Sequence, residues 1–64
     1  MKAAANEVIR ARRLKLGMSQ KELAEKAGVS TNTVYNVEAG KSASLTSYKK
    51  ICDALELKLS RVLK

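Results

Sequence analysis

Residue types that carry catalytic, metal-binding or cross-linking chemistry are scarce in this chain of 64 residues. It has no histidine, no proline, no phenylalanine and no tryptophan, and only one cysteine and three glycines. The lone Cys52 excludes a disulfide within the chain and a cysteine-rich metal site. No Cys–His pair, Gly-rich phosphate loop or cluster of carboxylates is present. We therefore expect no enzymatic activity, no metal or other cofactor and no small-molecule ligand.

Long apolar runs are also missing. The longest uninterrupted apolar run is three residues, whereas a helix that spans a bilayer needs about 20. We expect neither a signal peptide nor a membrane span, and hence a location in a reducing cytoplasm. Cys52 stands beside Ile51 and close to Leu55 on a predicted helix, which indicates a buried thiol rather than a reactive one.

The residues that are present predict an all-α domain. With 45% apolar residues but almost no aromatic ones, the core must be built from Leu, Val, Ile and Ala. A chain this short buries only about 60% of its unfolded surface, so that core must be economical. Only the segment 57–63 (LKLSRVL) could also be a strand. We expect one domain over residues 1–64, with residues 1–5 flexible.

Capping residues and glycines divide the sequence into five predicted helices. Asn6 is the expected N-cap of the first helix, which runs to about Leu16. The fourth begins after Ser44 or Thr46, and its expected inner face consists of Leu45, Tyr48, Ile51, Cys52 and Leu55. A short fifth helix over about Leu59–Leu63 is expected to close the core.

The second and third helices lie in the segment Gln20–Ala39, QKELAEKAGVSTNTVYNVEA. Ser19 and Glu22 have the spacing of a capping box, which begins the second helix at Ser19. Gly28 supplies a left-handed ending to that helix, and Ser30 is placed to cap the next one. The apolar face of the second helix comprises Leu23, Ala24 and Ala27, and that of the third comprises Val34 and Val37. This spacing indicates a helix-turn-helix, whose second helix lies in the DNA major groove.

The phase of the third helix predicts which side chains read DNA. With the valines inward, helical geometry turns four polar but uncharged side chains outward: Thr31, Asn32, Tyr35 and Asn36. Asparagine can bond both adenine N6 and N7, and a threonine methyl can touch that of thymine. Because none of these four side chains is an arginine, the residue that most often reads guanine, we expect half-sites that contain A·T pairs.

The charge favours the same partner. The formal net charge is +7, and the segment 28–41 balances at zero with one Glu and one Lys between basic flanks. Such flanks can bind DNA phosphates while the neutral segment between them reads the base edges. Charge alone is equally consistent with a soluble basic domain. A membrane-active helix is disfavoured because the cations do not lie opposite one broad apolar face.

Ile9–Ser42 and the segment 44–63 (SLTSYKKICDALELKLSRVL) resemble the Cro/C1-type, or XRE, family of bacterial and phage DNA-binding domains. The most specific motifs are GMSQKELA at 17–24, AGVS at 27–30 and VEAGK at 37–41. The resemblance implies a compact five-helix fold of the lambda-repressor type. It also implies that Gln20 contacts a phosphate and that Arg13 and Glu38 form a largely buried ion pair.

The expected phosphate contacts stand before and after the third helix in the sequence. They comprise Ser19, Gln20, Lys41, Ser42 and Ser44, with Arg10, Arg12 and Lys15 as further contributors. Arg12 departs from the family, where many relatives have Leu, and Glu56 stands where Gly is frequent. Ala43 and Lys58 likewise replace a frequent Pro and a usual Ser.

We expect a repressor that binds a palindromic operator on double-stranded DNA as a homodimer. Its half-sites would lie about one helical turn, roughly 34 Å, apart. The expected dimer contacts are Leu57, Leu59, Arg61 and Leu63. The alternative is an antitoxin-like or protein-interaction module of the same fold, in which contacts with a partner protein dominate.

Overall fold

The computed structural model describes residues 5–57, and this part of the chain is entirely helical outside its turns and loops. The helices are α1 (Ala5–Lys15), α2 (Gln20–Ala27), α3 (Thr31–Glu38) and α4 (Leu45–Ala54). The predicted all-α helix-turn-helix class is confirmed, with α2 and α3 forming the motif. The predicted fifth helix over Leu59–Leu63 and residues 1–4 of the predicted flexible start lie outside the described residues, whereas Ala5 is the first residue of α1.

Each of the four helices ends in the same hydrogen-bonded turn, in which one residue adopts a left-handed conformation. The backbone N–H after that residue donates back across the turn, with N–O distances of 2.8–3.1 Å for Met18 to Arg13, Val29 to Ala24, Lys41 to Asn36 and Leu57 to Cys52. The left-handed residue is a glycine in the first three turns, but Glu56, with φ 59°, in the fourth. A Cβ is strained in this conformation, so α4 ends less favourably than α1, α2 and α3.

Asn6 does not cap α1, so this prediction was wrong. It lies within the helix, and its Nδ2 donates to the backbone carbonyl of Glu38 at 3.3 Å. That carbonyl belongs to the last turn of α3, where intrahelical donors run out. Asn6 therefore joins α1 to the end of α3. By contrast, Ser44 does cap α4, since its Oγ accepts from the Ser47 N–H at 3.1 Å.

The core lies where the four helices meet. Its buried side chains are Ile9, Leu23, Ala24, Val34, Val37, Ile51, Cys52, Ala54 and Leu55. Tyr48 packs partly against them, but Leu45 is 62% exposed, so its assignment to the inner face of α4 was wrong. Helical side chains lean toward the N-terminus, so Leu45, the first residue of α4, extends beyond the turns that pack on the core. No helix within residues 5–57 is long and apolar enough to cross a bilayer.

Candidate nucleic-acid interface

The turn between α2 and α3 is defined by local hydrogen bonds. The capping box is complete, because Ser19 Oγ accepts from the Glu22 N–H at 3.0 Å and Glu22 Oε1 accepts from the Ser19 N–H at 2.8 Å. The hydrogen bond from the Ser19 backbone N–H, and then one with the Ser19 side chain, lower the pKa of Glu22. Gly28 then ends α2 at φ 73° and ψ 33°, and Ser30 Oγ caps α3 by accepting from the Thr33 N–H. The two helices are thus joined by a short turn that is capped on both sides.

The buried and exposed faces of α3 separate as its helical phase requires. Val34 and Val37 have no exposed surface. On the opposite face Thr31 and Asn32 are exposed, Tyr35 is 52% exposed and Asn36 is half-buried. These four side chains are the expected base readers, and we refer to them as the reading patch. All are neutral at pH 7 and able to make hydrogen bonds, which suits base edges better than phosphates.

Thr33 lies at the flank of the reading patch. It is half-buried, and its Oγ1 forms a 2.8 Å hydrogen bond with Ser30 Oγ, from which either oxygen could donate. This contact holds the Thr33 hydroxyl against the cap of α3. Its side chain therefore supports the beginning of the helix.

Beneath α3, Arg13 and Glu38 form a bidentate ion pair. Arg13 Nε lies 2.6 Å from Glu38 Oε2, and Nη2 lies 3.0 Å from Oε1. Only 11% of the arginine side chain and 5% of the glutamate side chain are exposed. The third nitrogen, Nη1, donates to the Met18 carbonyl at 2.8 Å. The pair therefore joins α1, the end of α3 and the residues that lead into α2.

Gln20 extends this network to the protein surface. Its Nε2 donates to Glu38 Oε1 at 3.3 Å, and the residue is half-buried. An open groove passes beside it, lined by Arg10, Arg13, Gln20, Tyr35, Glu38 and Ala39. The groove places Gln20 and the exposed Arg10 next to Tyr35, at one edge of the reading patch. Two of the expected phosphate-contacting residues thus lie beside the reading patch.

Lys41 lies close to the same tyrosine. Its Nζ is 5.6 Å from the centroid of the Tyr35 ring, within the range of a cation–π interaction. The exposed Ser42 and Ser44 follow Lys41 in the loop that leads to α4. Ser19 is exposed at the N-terminus of α2, where free amide donors favour anions. Lys15 is exposed at the end of α1.

Arg12, a further expected phosphate contact, bonds the end of α4 that lies opposite Ser44. Its Nε donates to the Leu55 carbonyl at 3.2 Å, and the residue is half-buried. Leu55 lies at the C-terminal end of α4 and Ser44 at its N-terminal end. The ten residues of α4 between them span about 15 Å. A cation at a helix C-terminus interacts favourably with its free carbonyls. Arg12 therefore stabilises the end of α4.

Sequence reasoning missed Asn6 as a link to the recognition helix. Polar residues near a helix start are usually read as caps, and nothing local in the sequence shows that the end of α3 lies beside Asn6. The spacing of Asn6 with Ile9 and Arg13 does place all three on one face of α1. This shared helix face was the sequence signal that could have pointed to the contact of Asn6.

Comparisons with known proteins agree with this geometry. A family model described as helix-turn-helix matches residues 9–62. A solved structure of a mutant of the restriction-modification controller protein C.Esp1396I matches with a TM-score of 0.77 and 25% sequence identity, covering 91% of this chain and 77% of that one. No curated protein gave a significant match.

Proposed function

This chain belongs to the XRE family of helix-turn-helix DNA-binding transcriptional regulators, and we propose that it is a repressor that binds a palindromic operator as a dimer. Helix α3 would enter the major groove and present the reading patch to base edges. Occupying the operator would be enough to block transcription. The compartment that contains such an operator is the bacterial cytoplasm.

The reading patch is the observation that carries this proposal. Asn32 lies in the first turn of α3, where a recognition helix reaches base edges most directly. Its amide offers the donor and acceptor that adenine N7 and N6 require, and Asn36 lies one turn further along. Thr31 adds a methyl group for thymine. We therefore propose that Thr31, Asn32, Tyr35 and Asn36 read half-sites containing A·T pairs.

Around the reading patch, the proposed phosphate contacts are Ser19, Gln20, Lys41, Ser42, Ser44 and Arg10. Arg10 lines the groove beside Tyr35, and Lys41 Nζ lies 5.6 Å from the centroid of the Tyr35 ring, so both supply positive charge close to this side chain. Phosphate contacts of this kind determine how the helix sits on DNA without selecting a sequence. Lys15 is a further candidate at the end of α1.

A dimer follows from the small size of one module. A single domain of this class buries about 600–1,000 Å² of protein surface on DNA, which limits its specificity. Two copies on half-sites about 34 Å apart would double the number of bases read. Of the proposed dimer residues, Leu57 packs partly against the core, whereas Leu59, Arg61 and Leu63 lie outside the described residues.

The competing function is an antitoxin-like or protein-interaction module. Such a protein shares this fold, so the fold does not decide between the two functions. The structural neighbour's name describes a controller of a restriction-modification system, and this supports a role in regulating transcription here.

Selection of binding sites from random double-stranded DNA tests the proposal. We expect an enriched motif made of two inverted half-sites, each with A·T pairs, about one helical turn apart. Sedimentation of the chain with and without the selected site then measures the number of copies bound. A single half-site bound by one copy would contradict the dimer. No enrichment, together with a stable complex with a second protein, would favour the interaction module.

A further inference from the structure

The carboxylate of Glu38 accepts hydrogen bonds from a buried arginine and from a surface glutamine. Oε2 accepts from Arg13 Nε, while Oε1 accepts both from Arg13 Nη2 at 3.0 Å and from Gln20 Nε2 at 3.3 Å. We propose that Glu38 is a positioning residue for DNA binding, which orients the Gln20 amide toward a phosphate. This inference rests on the proposed function, because the phosphate contact of Gln20 is part of it.

The chemistry of the two groups determines how the amide is oriented. An ionised carboxylate only accepts hydrogen bonds, whereas an amide has two N–H donors and one carbonyl acceptor. The reversed amide would place its carbonyl oxygen against Glu38 and lose the bond. With Nε2 facing Glu38, one N–H is used there, and the second has no acceptor within residues 5–57. A phosphate oxygen needs a donor of this kind.

The carboxylate is itself held in place. Arg13 holds both of its oxygens, and the Met18 carbonyl in turn binds Arg13 Nη1 at 2.8 Å. Glu38 is the last residue of α3 and Gln20 the first of α2, so the bond between them crosses the helix-turn-helix. A surface side chain oriented in advance loses less conformational freedom when DNA binds. The ion pair would therefore contribute to affinity as well as to folding.

A double-mutant cycle tests this coupling with Gln20→Ala and Glu38→Gln, alone and together, on a random-sequence duplex at low salt. Binding is measured at a temperature where circular dichroism shows each chain folded. We expect Gln20→Ala to weaken binding about tenfold in the wild-type background, as for a hydrogen bond to a charged group. In the Glu38→Gln background it should weaken binding less than about twofold, because the replacement amide no longer fixes the direction of the Gln20 side chain.

Glu25→Gln is a matched control for charge, since Glu25 is exposed on α2 and the same negative charge is removed. Losing a negative charge should by itself tighten DNA binding. We expect Glu25→Gln not to weaken binding and Glu38→Gln to weaken it. Equal changes in the two variants would overturn the proposal.

A second measurement needs no DNA. In the wild type, the two side-chain amide protons of Gln20 should have well-separated NMR shifts, because one of them bonds a carboxylate. Glu38→Gln should move them toward the values of a free glutamine, and unmoved signals would contradict the proposal. A purely structural role for the ion pair would not change these signals while the fold remains intact.

If Glu38→Gln does not fold, the paired change Arg13→Met/Glu38→Leu replaces it, since no buried charge is left unpaired. Gln20→Ala should again cost less than about twofold in that background. A full tenfold cost there would overturn the coupling. A wild-type chain that binds no duplex DNA would instead refute the proposed function.

Discussion

Replacing Glu38 with alanine should destabilise this domain more than any substitution on its DNA-facing surface. The change removes both acceptors from two nitrogens of Arg13, a side chain that is only 11% exposed. Breaking a buried ion pair on one side typically costs about 3–5 kcal/mol, because the remaining charge stays buried without its partner.

The structure places the expected cost near the lower end of that range. Arg13 keeps its bond from Nη1 to the Met18 carbonyl at 2.8 Å, and its partial exposure admits some water. A loss of about 3 kcal/mol corresponds to a fall in Tm of about 12–24 °C in a domain of this size. At 64 residues the total free energy of unfolding is about 3–10 kcal/mol. The variant should therefore lose between about a third and all of its free energy of unfolding.

Thermal unfolding followed by circular dichroism measures this effect. Asn32→Ala serves as the control on the exposed face of α3 and should change the free energy of unfolding by less than about 0.5 kcal/mol. The paired change Arg13→Met/Glu38→Leu should recover much of the lost stability, since it removes both charges together. An unchanged melting curve for Glu38→Ala would refute the reasoning that the buried pair stabilises the fold.

Four further predictions concern DNA contacts, the end of α4 and the buried thiol. Asn32→Ala should lower the free energy of binding to a selected site by about 1–3 kcal/mol and change binding to random DNA little. Lys41→Ala should weaken binding to both duplexes and lower the salt slope by about one. Equal losses from Asn32→Ala on both duplexes would contradict direct readout. Arg12→Gln should lower the free energy of unfolding by about 0.3–1 kcal/mol and leave the salt slope of DNA binding unchanged, because Arg12 faces a carbonyl; a reduced slope would place it on a phosphate. Glu56→Gly should raise the free energy of unfolding by about 0.5–1 kcal/mol, because glycine adopts the left-handed conformation without strain but loses more entropy on folding; an unchanged or lower Tm would contradict this. Burial, and then the Asp53 carboxylate, raise the pKa of Cys52 above its ordinary value of 9.0. The stability that the neutral thiol contributes is therefore complete below about pH 9 and is lost as pH rises through the higher native pKa. Cys52→Ala should show a smaller fall in stability over that range, and rapid reaction of the folded wild type with a thiol reagent would argue against burial.

Much of the helix-turn-helix follows from local signals. The capping box at Ser19 and Glu22, the left-handed Gly28 and the cap at Ser30 are each determined within a few residues of sequence. The two valines of α3 also settle its phase, so the outward position of Asn32 follows. These are short-range hydrogen bonds and steric limits, which any fold containing this segment would have to satisfy.

Predictions from sequence were wrong where the packing of the helices determined the result. Asn6 resembles an N-cap, but the unpaired carbonyl at the end of α3 lies 32 residues away along the chain and accepts its amide. Arg12 shows the same limit, since the sequence alone did not reveal that its Nε reaches the Leu55 carbonyl at the end of α4. Leu45 has the spacing of a core residue, but its place at the first turn carries it past the packed surface. The chemistry of each side chain permitted several partners.

By itself, the sequence determined the helical class, the turn between α2 and α3, and the division of α3 into buried valines and a neutral outer face. Helical periodicity and capping act over a few residues, so they can be read directly. Only the tertiary structure decided which long polar side chains contact one another, including the bond between Gln20 and the buried Glu38. Flexible side chains such as Arg12, Arg13 and Gln20 can reach many acceptors, and the packing of the helices determines which acceptor lies close enough.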